Sequence, residues 1–384
     1  MIRHVASKAP SISIGPRVRK SPFYDATRRW GCNAYTVYNH MYMPLFYIDP
    51  VSDYWNLVEH VTLWDVAVER QVQISGPDAE LFTQYLTPRN LSACMAGQAR
   101  YAFITNEKGG VINDPILFKL ATDKYWLSLA DSDILLWAQG IALNAGMDVE
   151  VTEPDVSPLQ VQGPKSTDLM TSIFGDWIPD LKYYRFRELE LDGVPLVVSR
   201  TGWSSERGYE IFLRDRRYGD QLWEMIMDKG GIFGIAPCAP STIRRVEGAM
   251  LSYGSDMKGD DNPFELGLAR LVDLDQASDF IGKQALIEAR AEGLSRKLCG
   301  IRIDGAAIEG NEDWWDIFSG HGPIGTVRSA VHSPRLKQNI ALAMIDIQYT
   351  APGSKLEVAT PWGDRKAVVV ETPFYDPKKT LATG

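Results

Sequence analysis

A strand-like run, a Gly-Pro pair and an amphipathic run follow one another twice along this chain, and this pattern leaves few folds open. Residues 73–86 read QISGPDAELFTQYL, and residues 160–174 read QVQGPKSTDLMTSIF. Proline suits the first helical turn because its missing N–H would lack an intrahelical partner anyway. The apolar residues that follow recur at helical spacing. The pattern predicts two related α+β halves, and two coincidental strand-to-helix turns are the alternative.

Periodicity places further elements along the chain and sets the fold class. Helical patterns occupy 132–144, 218–229 and 241–251, and strand patterns occupy 194–200 and 209–214. Mixed helices and strands favour an α+β fold over a doubly wound parallel sheet. The polar residues 288–297 predict a linker into a C-terminal unit that is rich in Gly-Pro turns and typical of a small barrel. β-rich sequence in that unit lies near 298–304, 340–346 and 366–371.

Length and charge restrict the class of protein. A chain of 384 residues with 45% hydrophobic residues is typical of a globular protein with two or three cores. The net charge of -9 argues against broad nucleic-acid binding, which needs clustered Lys and Arg. No apolar run reaches the roughly 18 residues that a membrane span requires. We therefore expect a small-molecule ligand, no nucleic acid and no membrane, and a homo-oligomer stays open.

Cysteine usage and the N-terminus bear on the compartment. The cysteines at positions 32, 94, 238 and 299 include no CxxC pair, so we expect a reducing cytoplasm. The first 23 residues lack Asp and Glu, a weak likeness to an organellar transit peptide. The alternative is a basic lead-in that docks at residues 16–23.

Two cofactor classes are disfavoured by spacing. The histidines at positions 4, 40, 60, 321 and 332 form no HExxH or closely spaced pair, so we expect no metal site. Residues 230–234, GGIFG, lack the GxGxxG pattern of a dinucleotide fold.

Three segments together carry a family resemblance: KGGVINDPILFKL at 108–120, SRTGWSSERGYEIFL at 199–213 and SYGSDMKGDDNPFELG at 252–267. In this order they resemble the glycine-cleavage T-protein (aminomethyltransferase) superfamily, whose members bind tetrahydrofolate and move one-carbon units. The resemblance implies a three-domain cloverleaf with the folate in a central channel. It implies domain 1 over residues 1–64 and 152–250, domain 2 over 65–151 and 251–288, and a β-barrel over 289–384.

The resemblance also implies catalytic residues. Asp114 matches an aspartate that lies beside the reactive folate nitrogens, where a carboxylate can accept or steer a proton. Tyr101 matches a tyrosine next to the substrate. Asp131 is expected to bind the folate and not to act in catalysis: it lies in ADSD, where T-proteins carry Asn in the strand that meets the folate. A simple turn residue after Gly-Gly is the alternative for Asp114.

Further positions match contacts to the folate. Glu210 and its neighbour Tyr209 match folate-binding positions, and the glutamate accepts hydrogen bonds from the planar donor edge of the pterin. An ordinary exposed strand glutamate is the alternative for Glu210. Trp203 matches an aromatic residue that packs against the folate, with plain core as the alternative. Arg245 matches the arginine before the Glu of LRLEAG, and its guanidinium suits the carboxylates of the glutamate tail. Arg244 could instead pair with Glu247 within one helix.

One branch of the superfamily is more similar than T-protein itself. Segments such as CNAYTVYNHMYMP and EHVTLWDVAVERQV resemble bacterial dimethylsulfoniopropionate demethylases from about Pro22 to the closing strands. An onium methyl leaves a neutral product, so an oriented amine can displace it without metal or redox help, and aromatic faces hold such cations. The candidate donor-binding residues are Tyr35, Trp64, Ser205 and Arg207, with Trp126 and Trp203 as further aromatic candidates.

The expected activity follows from that branch. We expect a tetrahydrofolate-dependent demethylase that transfers a methyl group from a sulfonium or related onium acid, with dimethylsulfoniopropionate the leading donor. The site reads GWSSERGYE where the branch reads GWSKQGGYE, so a related betaine or another methylated acid stays open. An aminomethyltransferase, an O- or N-demethylase and a non-catalytic folate-binding module are the alternatives.

Overall fold

The computed structural model describes residues 13–320 and 322–384. The transit-peptide interpretation falls largely on residues 1–12 and so lies outside the described residues. The α-helices are α1 (Tyr24–Arg29), α2 (Pro50–Glu59), α3 (Ala79–Leu86), α4 (Ile134–Ala142), α5 (Ser166–Phe174), α6 (Gly219–Gly230), α7 (Thr242–Glu247), α8 (Lys283–Glu292) and α9 (Thr380–Thr383). The first fifteen strands are β1 (Ala34–Tyr38), β2 (Met41–Phe46), β3 (Val61–Asp65), β4 (Gln71–Ser75), β5 (Gln98–Tyr101), β6 (Ile104–Thr105), β7 (Val111–Asn113), β8 (Ile116–Ala121), β9 (Lys124–Ser128), β10 (Glu150–Thr152), β11 (Ser157–Gln162), β12 (Phe186–Leu191), β13 (Val194–Ser199), β14 (Gly208–Leu213) and β15 (Ile235–Cys238).

A six-stranded sheet forms the first layer, in the order β12-β13-β14-β11-β3-β15. Successive side chains of a strand point to opposite faces. Leu159, Val161 and Ile211 therefore share one face, where they pack in a core with residues of α5 and α6. The opposite face carries Gln160, which lies directly across from Glu210 on β14.

A five-stranded sheet forms the second layer, in the order β10-β4-β9-β8-β5. One of its faces packs under α3 and α4 through Ile74, Leu127 and Phe82. The other face meets the six-stranded sheet, where the rings of Phe118 and Phe212 lie 4.9 Å apart between centroids. The face of the six-stranded sheet that carries Gln160 and Glu210 is therefore turned toward the five-stranded sheet, and an apolar cluster joins the two.

The two copies of the sequence repeat take equivalent places in the two sheets. β4 leads into α3, and β11 leads into α5. Gly76 and Gly163 between them have positive φ angles of 128° and 124°. Pro77 and Pro164 lie in the turn and not in the first helical turn as predicted, because the helices begin at Ala79 and Ser166. The prediction of two related halves fits this arrangement.

The third unit is a closed barrel, as predicted. Its order is β16-β19-β18-β17-β20-β21, formed by β16 (Arg296–Ile303), β17 (Trp315–Phe318), β18 (Pro323–Ser333), β19 (Gln338–Asp346), β20 (Lys355–Thr360) and β21 (Gly363–Val370). The predicted linker over 288–297 is shorter than expected: α8 runs to Glu292 and β16 begins at Arg296. Ala, Glu and Arg are strong helix formers, so a polar segment need not be irregular.

Two peripheral features complete the chain. Arg19 of the lead-in donates its N–H to the His40 carbonyl at 2.8 Å, so this segment pairs with the hairpin of β1 and β2. The docking predicted for residues 16–23 is therefore present. Among the described residues, no helix has the length and apolar character needed to cross a membrane.

Candidate functional site

Polar side chains from both sheets and from two connecting segments surround one region beside the contact between the sheets. Glu210 and Gln160 come from the six-stranded sheet, and Tyr101 comes from β5 of the five-stranded sheet. Asp114 follows β7 and precedes β8, where the chain enters that sheet. Glu69 lies in the segment 66–70, which joins β3 of one sheet to β4 of the other. The fold therefore brings acidic residues together from distant parts of the chain.

Asp114 and Tyr101 form a hydrogen-bonded pair. The Tyr101 hydroxyl donates to Asp114 Oδ2 at 2.9 Å. Asp114 Oδ1 is shielded from solvent and has no hydrogen-bond partner among the described residues. Burial, opposed by the Tyr101 hydrogen bond and assisted by the charge of Asp256, raises the pKa of Asp114 to about 8. A carboxyl that titrates near neutral pH can exchange protons in either direction.

Glu210 lies deep in the site, with 3% of its surface exposed. Gln160 Nε2 donates to Glu210 Oε1 at 2.7 Å, and the Thr201 hydroxyl donates to Glu210 Oε2. Burial raises the pKa of Glu210 to about 7, although these two hydrogen bonds lower it. Both carboxylate oxygens are thereby oriented by fixed donors.

Glu69 is a third acid at the site. Its Oε1 accepts a hydrogen bond from Gln160 Nε2 at 3.3 Å. Burial raises the pKa of Glu69 well above its usual range, and the charges of Glu210 and Asp114 raise it further. In the part of the chain that the structure describes, none of these three acids forms an ion pair with a Lys or Arg side chain.

This arrangement suits a ligand that donates several hydrogen bonds from a flat edge. Asp114 Oδ1 and Gln160 Oε1 are buried acceptors without a partner among the described residues. Leaving such atoms unpaired costs about 1–3 kcal/mol each, so a ligand that satisfies them gains that amount. The N–H groups of a reduced pterin are donors of this kind, and the residues present therefore fit the folate that the sequence predicts.

Two predicted site residues lie outside this group of acids. Tyr209 alternates with Glu210 along β14, so it lies on the helix-covered face, where its hydroxyl contacts Thr167 Oγ1 at 3.1 Å. Trp64 shares a face with Gln160, but its ring is fully buried and its Nε1 donates to Thr62 Oγ1 at 2.8 Å. The structure does not bring either residue into the group of acids.

Arg245 and Trp203 lie where α7 meets the barrel. Arg245 Nη1 donates to Asp256 at 2.7 Å, and Nη2 donates to Ser329 Oγ at 2.7 Å. The Trp203 ring lies 5.7 Å from the Arg245 guanidinium, and its Nε1 donates to the Leu251 carbonyl at 3.1 Å. Neighbouring residues thus occupy most donors of Arg245. The assignment of Arg245 to the glutamate tail stays a prediction.

Two more predicted residues have partners in the fold. Asp131 is exposed and accepts the Asn39 N–H at 2.7 Å, which fixes the hairpin turn. Tyr35 lies in a cluster with Tyr24 and Tyr42, and its hydroxyl contacts Thr27 Oγ1 at 2.7 Å.

Residues of the segment 203–207 and the strand β9 account for the remaining predictions. Arg207 Nε donates to Thr167 Oγ1 at 2.6 Å, on the helix side of the sheet. Ser205 has a φ of 54°, and its buried Oγ has no partner among the described residues.

Trp126 packs between the two sheets and donates to Gln73 Oε1 at 3.1 Å. Arg244 pairs with Glu206 at 2.7 Å and with Glu247 at 3.7 Å, the alternative that the helix spacing suggested.

Sequence reasoning missed three polar residues at the site: Glu69, Gln160 and Thr201. Gln160 sits in the second copy of the repeat, and its cross-strand position opposite Glu210 could be inferred only from the strand pairing. Glu69 lies in a connection without periodicity, so no pattern marks it.

Comparisons with known proteins agree with this architecture. The family model of the GCVT N-terminal domain matches residues 23–276, and that of the glycine cleavage T-protein C-terminal barrel domain matches residues 296–376. A dimethylsulfoniopropionate demethylase of Ruegeria pomeroyi is 41% identical over 94% of this chain and 98% of its own. An aminomethyltransferase of Bacillus mycoides is 29% identical over 94% of this chain and 99% of its own. The crystal structure of aminomethyltransferase T from Bartonella henselae, 21% identical, covers 94% of this chain and 99% of its own with a TM-score of 0.85.

Proposed function

Because this chain belongs to the glycine cleavage T-protein family, we propose that it is a tetrahydrofolate-dependent demethylase acting on a sulfonium acid. Dimethylsulfoniopropionate is the leading donor, and the products are 5-methyltetrahydrofolate and methylmercaptopropionate. The observation that carries the proposal is the Asp114–Tyr101 pair, with a buried Oδ1 free to meet a ligand N–H. The choice of donor is supported by the demethylase relative at 41% identity, against 29% for the aminomethyltransferases.

The chemistry balances without a redox partner. Tetrahydrofolate supplies N5, the nitrogen to which the methyl group passes. The methyl carbon leaves sulfur in line, the C–S electron pair stays on sulfur as a neutral thioether, and the N5 proton is released. Asp114 is the proposed acceptor of that proton, and Tyr101 holds its carboxyl in place. Glu210 is proposed to bind the pterin donor edge, with Gln160 and Thr201 orienting its oxygens.

The partners we propose are small molecules, namely the methyl donor and tetrahydrofolate. We propose the cytoplasm as the compartment. Its support is that the four cysteines are free thiols in the described structure, as a reducing compartment requires.

The first experiment supplies purified protein with tetrahydrofolate and a panel of donors: dimethylsulfoniopropionate, glycine betaine, dimethylglycine and a methoxylated aromatic acid. Mass spectrometry follows 5-methyl- and 5,10-methylenetetrahydrofolate. Of the four donors, we expect only dimethylsulfoniopropionate to yield 5-methyltetrahydrofolate. A 5,10-methylene product from dimethylglycine would instead assign the aminomethyl reaction. Folate binding without any product would identify a non-catalytic module.

A further inference from the structure

Glu69 is anchored to both sheets at the point where the chain crosses between them. Its side chain reaches Gln160 of the six-stranded sheet at 3.3 Å. Its carbonyl accepts a hydrogen bond from Gln71 Nε2 at 2.6 Å, and the same amide donates to Ser128 Oγ of the five-stranded sheet at 2.8 Å. The segment 66–70 is therefore held rigidly, and Glu69 is a fixed part of the site.

One amide group serves two carboxyls. Gln160 is fully buried, and its Nε2 donates to Glu210 at 2.7 Å and to Glu69 at 3.3 Å. Among the described residues no cation lies against either acid. Two carboxyls that share a site without a cation cannot both ionise near neutral pH, so one of them keeps its proton.

The surroundings decide which acid stays neutral. Burial and the nearby charges of Glu210 and Asp114 raise the pKa of Glu69 well above its usual range, whereas that of Glu210 rises only to about 7. Among the described residues, burial raises the pKa of three nearby tyrosines, and the charges of these acids raise it further: Glu69 acts on Tyr38, and Glu210 acts on Tyr183 and Tyr184.

The hydrogen bonds point the same way: Glu210 accepts from two donors, Gln160 Nε2 at 2.7 Å and the Thr201 hydroxyl, whereas the Glu69 side chain accepts one bond at 3.3 Å. Because donors stabilise the charged form of a carboxyl, Glu210 is the acid that ionises first, and Glu69 is the one that keeps its proton.

We infer that Glu69 is a second carboxyl of the folate site, which stays neutral and, through the Gln160 amide, positions Glu210 against the donor edge of the pterin. This inference rests on the proposed function for the identity of the ligand. Gln160 Oε1, buried and without a partner among the described residues, adds an acceptor beside Glu210. A pterin amino group has two N–H donors, so this pair of acceptors suits it better than a lone carboxylate does.

The test measures binding of 5-formyltetrahydrofolate by calorimetry at pH 7. Glu69→Met keeps the length of the side chain but removes its hydrogen bonds, and we expect it to weaken binding at least tenfold. Glu69→Gln retains a neutral hydrogen-bonding group, so it should bind the folate at least fivefold more tightly than Glu69→Met. Glu210→Gln removes the charge and should lose at least tenfold. Glu190→Gln, an exposed carboxyl of the same sheet, is the matched control.

Two results would overturn the inference. Binding by Glu69→Met within twofold of the wild type would exclude a positioning role, and equal losses in Glu69→Gln and Glu210→Gln would exclude a neutral Glu69. If Glu69→Met does not fold, infrared spectroscopy of the wild type decides: a protonated carboxyl band at pH 7 that Glu69→Gln lacks is expected. Absence of that band would contradict the inference.

Failure of this inference is distinguishable from failure of the proposed function. A wild type that binds the folate and transfers methyl groups, with Glu69→Met unaffected, rejects the inference alone. If the wild type binds the folate and the variants show the expected losses of affinity, but the wild type accepts no methyl donor, only the proposed demethylation is rejected. A wild type that does not bind the folate rejects both.

Discussion

At the scale of single residues, the site is governed by three acids that form no ion pair with any Lys or Arg of residues 13–320 and 322–384. Asp114, Glu69 and Glu210 each have a raised pKa, and burial is the first cause in every case. Such groups destabilise the folded chain when they ionise. Proteins tolerate this strain where a ligand or a reaction uses it.

Replacement of Asp114 should separate activity from stability. Asp114→Ala is expected to lower turnover at least tenfold, since a positioned proton acceptor contributes roughly 10²–10⁴-fold to rate. Asp114→Asn should lower it similarly while keeping the Tyr101 hydrogen bond. Single-turnover assays measure the rate, and urea unfolding checks that the variants fold. Unchanged turnover in both variants would reject Asp114 as the acceptor.

Stability should fall as pH rises through the neutral range. Asp114 and Glu210 have pKa values of about 8 and about 7 in the fold, against ordinary values of 3.8 and 4.5. The folded state therefore binds more protons than the unfolded state does. The resulting stabilisation is complete below about pH 4 and lost by about pH 8. Each group gives a slope of up to about 1.4 kcal/mol per pH unit. Urea unfolding at several pH values measures how the free energy of unfolding changes with pH. Glu210→Gln should flatten that slope between pH 5 and 7. An unchanged slope would contradict the raised pKa of Glu210.

The sequence predicted part of this site through motifs. Asp114, Tyr101 and Glu210 stand in segments with a family resemblance, and the structure brings them into one region. The resemblance also predicts a folate contact for Tyr209, but strand alternation puts its side chain on the face opposite to Glu210. Glu69 could not be found from the sequence, because its role depends on a side-chain contact across two sheets.

At the scale of elements, local patterns located most helices and strands. The patterns at 218–229 and 194–200 correspond closely to α6 and β13. The helix predicted over 241–251 ends early, at Glu247, because Gly248 follows and Ala249 has a positive φ of 49°. Pairing order is a long-range property, so no local pattern indicated that β11 lies between β14 and β3.

The glycine of the second repeat should be indispensable. At Gly163, which has a φ of 124°, a Cβ atom would lie 2.5 Å from the His60 carbonyl oxygen and 2.8 Å from that of Leu57. Gly163→Ala should therefore lower the free energy of unfolding by at least about 2 kcal/mol, through backbone strain and a clash with main-chain atoms. Urea unfolding measures the loss.

Gly193→Ala is the matched control for that prediction. Gly193 has a φ of 80°, but no atom lies within 4 Å of an added Cβ. Its replacement should cost only the strain of the left-handed backbone, about 1 kcal/mol. Equal losses at both positions would show that the close approach at Gly163 contributes nothing.

At the scale of the whole molecule, Arg245 joins three parts of the chain. It belongs to α7, pairs with Asp256 of the segment 252–267, and donates to Ser329 of the barrel. Asp256 in turn raises the pKa of Asp114. A buried ion pair thus connects the barrel to the electrostatics of the site.

Loss of Arg245 should act on stability before it acts on folate affinity. Arg245→Met leaves Asp256 buried and unpaired, which costs about 3–5 kcal/mol. The double variant Arg245→Met with Asp256→Asn should recover part of this loss. Thermal and urea unfolding measure both variants. A drop in folate affinity with unchanged stability would instead support the predicted contact to the glutamate tail.

The pairing of β3 also determines when the site can assemble during synthesis. β3 has β11 and β15 as its only neighbours in the described sheet, and both follow the complete five-stranded sheet along the chain. On the ribosome, the sheet spanning residues 71–152 therefore has all its strands first, while residues 61–65 wait for strands not yet made. Glu69 and Asp114 emerge long before Gln160 and Glu210, so the folate site is completed late. A nascent chain that ends before residue 213 lacks the full β14 strand and cannot contain the site.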